Sequence, residues 1–310
     1  MITYLRLTLI RITMSYLSLS NTSFIAITMS FAVICLTIFV LRVITQIRVK
    51  QALKDELAQY DNFAMGISFA SEISVVIATI AFLFDEISVR TAHSEPIKVA
   101  ILILLLFGFI KLGHLIHRKW ILHRFNEEEA ILKQNVCAAL VDSSMLIANC
   151  IITLGLYTWT HTQGFSNLLI ASVSFFLLQG MFALDSKIRE QRFAKANQGA
   201  SLQSNFNLEN TSIGIRYAGK SVGLALAAYA GLSSAEFQSG KMVENLFTVV
   251  MHCGVMWVLL YALTYIVEKL SLPNIDTALE IDHQDNIGIA CIVFAIFCAI
   301  GYLLISMFSI

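Results

Sequence analysis

The chain has 310 residues, 57% of them hydrophobic and only 14% charged, and its mean hydropathy of +0.74 lies far above that of soluble domains, so it reads as a polytopic membrane protein. Lysine plus arginine equals aspartate plus glutamate at 21 each, and no global charge excess calls for nucleic acid or an acidic partner. The six cysteines include no Cys-x-x-Cys pair, so no disulfide framework, metal site or bound cofactor is implied and they read as small apolar residues inside spans.

Residues 1–22 lack the compact apolar core and small-residue cleavage site of a secretory signal and read as an uncleaved N-terminal tail. Apolar runs of the length needed to cross a hydrocarbon core, about 20 residues at 1.5 Å each, follow near 23–41, 62–84, 97–117, 135–158, 167–185, 211–232, 243–266 and 286–308. The fold class is therefore all-α, with eight transmembrane helices. They alternate between a plain span and one opened by an asparagine. The connections into the asparagine spans are long and polar: 42–61, 111–134, 185–209 and 267–285 hold 14 of the 21 lysines and arginines. By the positive-inside bias they face the cytoplasm, and both termini lie outside. Residues 23–184 form a first half, 185–209 a basic and polar connector, and 210–310 a second half.

The asparagine motif recurs four times, as Asn62-x-Ala64-x-Gly66, Asn135-x-Cys137-x-Ala139, Asn210-x-Ser212-x-Gly214 and Asn286-x-Gly288-x-Ala290, at intervals of 73, 75 and 76 residues. A fixed period points to one two-helix unit copied four times. Asparagine is a favoured N-cap, because its side-chain oxygen accepts from the free N–H groups of a first turn that lipid cannot satisfy. Small residues two and four places on let a neighbouring backbone approach, which is how helices associate in lipid. The lead-ins Leu53–Leu57, Glu127–Leu132 and Asp276–Glu280 read as short amphipathic helices at the cytoplasmic surface.

A helix, an acidic amphipathic connector and an Asn-x-Ala helix make this chain resemble the YjfL-like family of uncharacterised bacterial inner-membrane proteins. Asn62-x-Ala64 reproduces that motif literally; Cys137, Ser212 and Gly288 keep only the small size. The resemblance implies a multi-pass protein of the bacterial inner membrane with a role in envelope maintenance or stress, in the company of cytosolic membrane-coat proteins or ATP-grasp ligases. A homo-oligomer is also open.

Residues 214–221, Gly-Ile-Arg-Tyr-Ala-Gly-Lys-Ser, match a phosphate-binding loop letter for letter. That chemistry needs a strand before the loop and a helix after it, whereas the repeat lays this stretch along a membrane helix, so no nucleotide site is expected. No nucleophile, base and oxyanion set is recognisable, and no enzyme is expected.

Four charges fall inside asparagine spans: Glu72, Asp142, Arg216 and Lys220. They sit about 9 to 15 Å along their helices, where a lone charge costs about 3 kcal/mol on insertion scales and charged residues pair. Repeat position and sign favour Glu72 with Lys220 and Asp142 with Arg216. Such pairs either fasten the halves of the chain together or line a proton or cation path. His114, His117 and His123, among Lys111, Arg118, Lys119 and Trp120, read as interfacial snorkelling and headgroup contact. Tyr157 and Trp159 read as an outer aromatic belt. The basic run Lys187, Arg189, Arg192 and Lys195 suits anionic lipid or an acidic cytosolic partner. A scaffold that recruits cytosolic machinery through 119–134 and 185–209 is the first functional expectation, and an ion or small-solute conductor the second.

Overall fold

The computed structural model describes residues 21–49, 53–86, 95–160 and 165–308; most of the expected tail, 1–22, lies outside them. Every regular element among the described residues is helical. In chain order these are α1 (Asn21–Val49), α2 (Leu53–Ala58), α3 (Phe63–Glu86), α4 (Pro96–Ile116, continued by a π turn His117–Ile121), α5 (Glu127–Leu132) and α6 (Val136–Thr160). Then come α7 (Phe165–Ala196), α8 (Leu202–Asn205, followed by a 3-10 turn Phe206–Leu208), α9 (Thr211–Ser233), α10 (Met242–Ser271), α11 (Thr277–Asp282) and α12 (Ile287–Phe308).

Seven of the long helices are long and apolar enough to cross a membrane. The exception is α9, whose hydropathy is diluted by Arg216, Lys220 and its glycines. The outer faces of the others carry large apolar side chains such as Phe31, Leu36, Leu104 and Val258, all exposed, as suits contact with lipid. Together they mark a multi-pass helical membrane protein.

The four asparagine-opened helices form a central row in chain order, α3 on α6, α6 on α9 and α9 on α12, while α1, α4, α7 and α10 pack around it. The closest approaches are at α9. A Cβ added at Gly214 would lie 3.0 Å from Cys137 Cα, and one at Gly219 only 2.4 Å from Phe294 Cα. Ala64, Cys137, Ala139, Ser212 and Ala290 are likewise buried. Gly66 and Gly288 do not take the expected packing role. An added Cβ at Gly66 would meet only Leu57 at 3.8 Å and one at Gly288 only the Asn286 side chain at 3.4 Å, because both lie at the ends of the row, where among the described residues no further helix covers that face.

The expected break at residue 185 falls inside α7, which runs without interruption to Ala196. Asp185 and Arg189 are buried and belong to the helix, not to a connector.

Candidate functional site: laced connectors and buried charges

Each asparagine does two jobs. Its Oδ1 accepts from a backbone N–H of the first turn: Met65 at Asn62 (2.9 Å), Ala138 at Asn135 (2.9 Å), Ile213 at Asn210 (2.9 Å) and Ile289 at Asn286 (3.2 Å). The Nδ2 of the first three reaches into the next connector, donating from Asn62 to Ile131 O (3.1 Å), from Asn135 to Phe206 O (2.9 Å) and from Asn210 to Ile281 O (3.2 Å). Asn286 Nδ2 donates to Glu280 Oε2 of its own connector (2.8 Å), as Asn62 Nδ2 also does to Glu56 Oε2 (2.9 Å). The residue before each asparagine, Asp61, Gln134, Glu209 or Asp285, has a positive φ, a conformation that costs L-residues about 1–2 kcal/mol. That turn swings the chain from connector to helix. The connectors are pinned from below by buried apolar residues, including Leu53, Ile131, Phe206 and Ile281.

The buried charges find partners on neighbouring helices. Arg118 grips Asp142 with both arms, Nε to Oδ1 at 2.7 Å and Nη2 to Oδ2 at 2.8 Å, while its Nη1 is 2.5 Å from Glu128 Oε1. His114 Nε2 lies 2.7 Å from Asp142 Oδ1. Glu72 meets Lys111 Nζ at 3.0 Å and the Thr45 hydroxyl at 3.2 Å. Arg216 pairs with Asp282 of α11. The expected pairs, Glu72 with Lys220 and Asp142 with Arg216, are thus replaced. In the central row α6 stands between α3 and α9, which separates Glu72 from Lys220, and Asp142 points to α4 rather than to α9.

Two further buried groups, Asp185 and Arg189, build a second cluster. Asp185 accepts from Tyr261 Oη (2.7 Å) and Trp257 Nε1 (3.2 Å) and ion-pairs with Arg189 (2.6 Å). Arg189 stacks over the Tyr217 ring, 4.4 Å from its centroid, and donates to Ser221 Oγ (3.2 Å). The Tyr217 hydroxyl is 2.9 Å from His117 Nε2. A polar chain therefore runs His117–Tyr217–Arg189–Asp185–Tyr261 through four long helices. His114 contacts Asp142 and Arg189 contacts Tyr217 across the same sequence separation of 28 residues.

Several expectations from residue type change accordingly. His114 and His117 are 4% and 2% exposed, so they are packed between helices and not snorkelling groups; Lys111, Lys119, Trp120 and His123 are exposed. Trp159 is buried and donates to Ala235 O at 2.9 Å, not to a lipid interface. Cys35 and Cys291 are exposed on outer faces, whereas Cys137, Cys150 and Cys253 are buried. Residues 214–221 lie along α9, a helix throughout, which is not the geometry of a phosphate loop. On the connector, burial pushes the Glu127 carboxyl up to about 8, with nearby Asp142 adding to the rise and Arg118 opposing it.

No group of three or more histidine, cysteine, aspartate or glutamate side chains placed to hold a metal occurs among the described residues. What the fold and its lining define is a class: a helical, multi-pass membrane protein with ion pairs sealed between its helices and polar connectors laced to one end. Within that class the chain belongs to the DUF350 family (Domain of Unknown Function), whose model matches it twice, over residues 17–157 and 160–308. The two copies meet at the C-terminal end of α6, ahead of the boundary expected at 185. No curated protein and no solved structure matches the chain.

Proposed function

We propose that this protein is a membrane-embedded scaffold of the bacterial inner membrane, built from four two-helix units of the YjfL-like kind. It crosses the bilayer eight times, with its connectors toward the cytoplasm. The observation that carries the reading is the lacing of the connectors: Asn62, Asn135 and Asn210 each tie the next connector to the helix they cap. A platform ordered in this way can dock a partner without first losing chain entropy. Its outer surface presents exposed Lys133, Glu129, Arg124 and Lys187, which favours a partner held by charge. Resemblance to the YjfL-like family supplies the class of partner, a cytosolic membrane-coat protein or ATP-grasp ligase in envelope maintenance.

The eighth crossing is α9. Composition alone disqualifies it, yet it is packed between α6 and α12, and its two charges turn to Asp282 and to the Phe297 ring. Lipid need not solvate either of them. A cysteine placed at Lys133 and one at His283, in a background without native cysteines, should then react with an impermeant reagent from the same side of the membrane. Labelling from opposite sides would mean that α9 does not cross.

The scaffold is tested by purification of the tagged chain from native membranes in mild detergent. A stoichiometric cytosolic companion that salt removes is expected. A solitary protein would favour the second reading, conduction of protons or cations, for which the continuous His117–Tyr217–Arg189–Asp185 chain speaks. Flux lost in Tyr217→Phe, which removes one link of that chain, would then be the sign.

A further inference from the structure

A cavity of about 760 Å³ lies between α7, α9 and α10 and is closed at the connector end by α11. Its size is that of a small-molecule site, for which about 300–1,000 Å³ is usual. Four cations line it, Arg189, Arg192, Arg216 and Lys220, against three carboxylates, Asp185, Glu268 and Asp282. All three carboxylates are committed within the protein. Asp185 is taken by Arg189, Tyr261 and Trp257, Asp282 by Arg216 and Asn197, and Glu268 accepts from the Thr277 hydroxyl.

The cations are not all answered. Lys220 has the Phe297 ring 5.7 Å from its Nζ and, among the described residues, no carboxylate within ion-pair reach. Arg189 is 7% exposed, and its Nε has no acceptor. A buried donor left in this state costs about 1–3 kcal/mol or more when charged, so the cavity is short of an anion. The rest of the lining includes the apolar Ile188, Val258, Val293 and Phe297. Val258 and Tyr265, 65% and 64% exposed, form its rim on the outer surface of α10, so the cavity is open sideways where lipid would lie.

We propose that this cavity binds a phosphate-bearing amphiphile, the phosphate at Lys220, Arg189 and Arg192 and the apolar part along Ile188, Val258 and Phe297. The site does not depend on the scaffold reading, since no contact with a cytosolic partner enters it.

The test is lipid retention by the full chain, purified in mild detergent, stripped and reloaded from vesicles of phosphatidylglycerol and phosphatidylcholine in equal parts. Phosphatidylglycerol should be retained preferentially, and Lys220→Met or Arg192→Gln should each lower that preference about fivefold, as expected for loss of one basic contact to an anionic lipid. Arg192 is exposed, so its variant tests the site without a folding cost. Lys187→Gln, on the same basic run but outside the cavity, should leave the preference unchanged. If millimolar inorganic phosphate displaces the lipid, a soluble phosphate ester is the source of the anion and the site stands. Equal retention of both lipids, or a Lys187→Gln effect equal to that of Lys220→Met, overturns the proposal.

Discussion

Arg118 and Asp142 meet in a two-pronged ion pair, Nε and Nη2 of the one on Oδ1 and Oδ2 of the other at 2.7 and 2.8 Å, with side chains 14% and 4% exposed. Removing Asp142 leaves Arg118 with Glu128 alone and takes the partner from buried His114, and breaking a pair of this kind costs about 3–5 kcal/mol. Asp142→Asn should therefore lower the unfolding midpoint in detergent sharply. The double change Asp142→Leu with Arg118→Met should recover part of the loss, since His114 and Glu128 still lose their partners, and a double change no better than either single one would show that the pair is not the source.

Glu72 and Lys220 lie on helices separated by α6, and substitutions without shared partners add to within about 0.5 kcal/mol. Glu72→Gln and Lys220→Met should be additive in a double-mutant cycle of thermal unfolding. A coupling beyond that limit would put the two groups in one network after all.

Asn135 caps α6 and also donates to Phe206 O. Aspartate keeps the cap but loses the donor. Asn135→Asp should cost about 1–3 kcal/mol for the unmatched carbonyl, and Asn135→Ala a further 1 or so for the cap. Limited proteolysis at the connector 197–209 should rise in both, and unchanged cleavage would mean that the lacing does not order it.

Glu127 is buried on the connector and its carboxyl is raised to about 8. A folded-state value above the unfolded one favours the folded protein while the group is protonated. The protein thus holds its full stability below the ordinary carboxylate range and loses it progressively until the pH passes about 8. Glu127→Gln should match the parent near pH 4 and unfold at a higher temperature at pH 9. Parallel pH profiles for the two proteins would remove burial as the cause.

Gly219 leaves no room for a methyl group, since a Cβ there falls 2.4 Å from Phe294 Cα. Gly219→Ala gains about 1 kcal/mol in helix propensity but forces two backbones apart, at about 1–3 kcal/mol. A net loss of thermal stability is expected, in contrast to Gly66→Ala, where the space is open and a gain should appear.

Much of this molecule is local chemistry, and local chemistry can be read along a chain. The apolar runs, the fourfold asparagine and the polar lead-ins act within a few residues of themselves, through hydrogen bonds to the next turn and through partition into lipid. They are enough to place the long helices and their starts from the sequence alone. Hydropathy is also a local sum, however, and so it cannot register that Arg216 of α9 is paired with Asp282 from a distant part of the chain. The partners of Glu72, Asp142, Arg216 and Lys220 were out of reach for the same reason. Repeat position says which face of a helix a charge occupies, but not which helix lies opposite. Only the packing order α3–α6–α9–α12 decides that, and it places His114, Arg118, Asp185 and Arg189, which the sequence shows merely as basic or acidic residues near span ends, in two paired clusters between the helices. The small-residue positions divide on the same principle: Gly214 has a neighbour to admit and Gly66 has none, because one helix lies inside the row and the other at its edge.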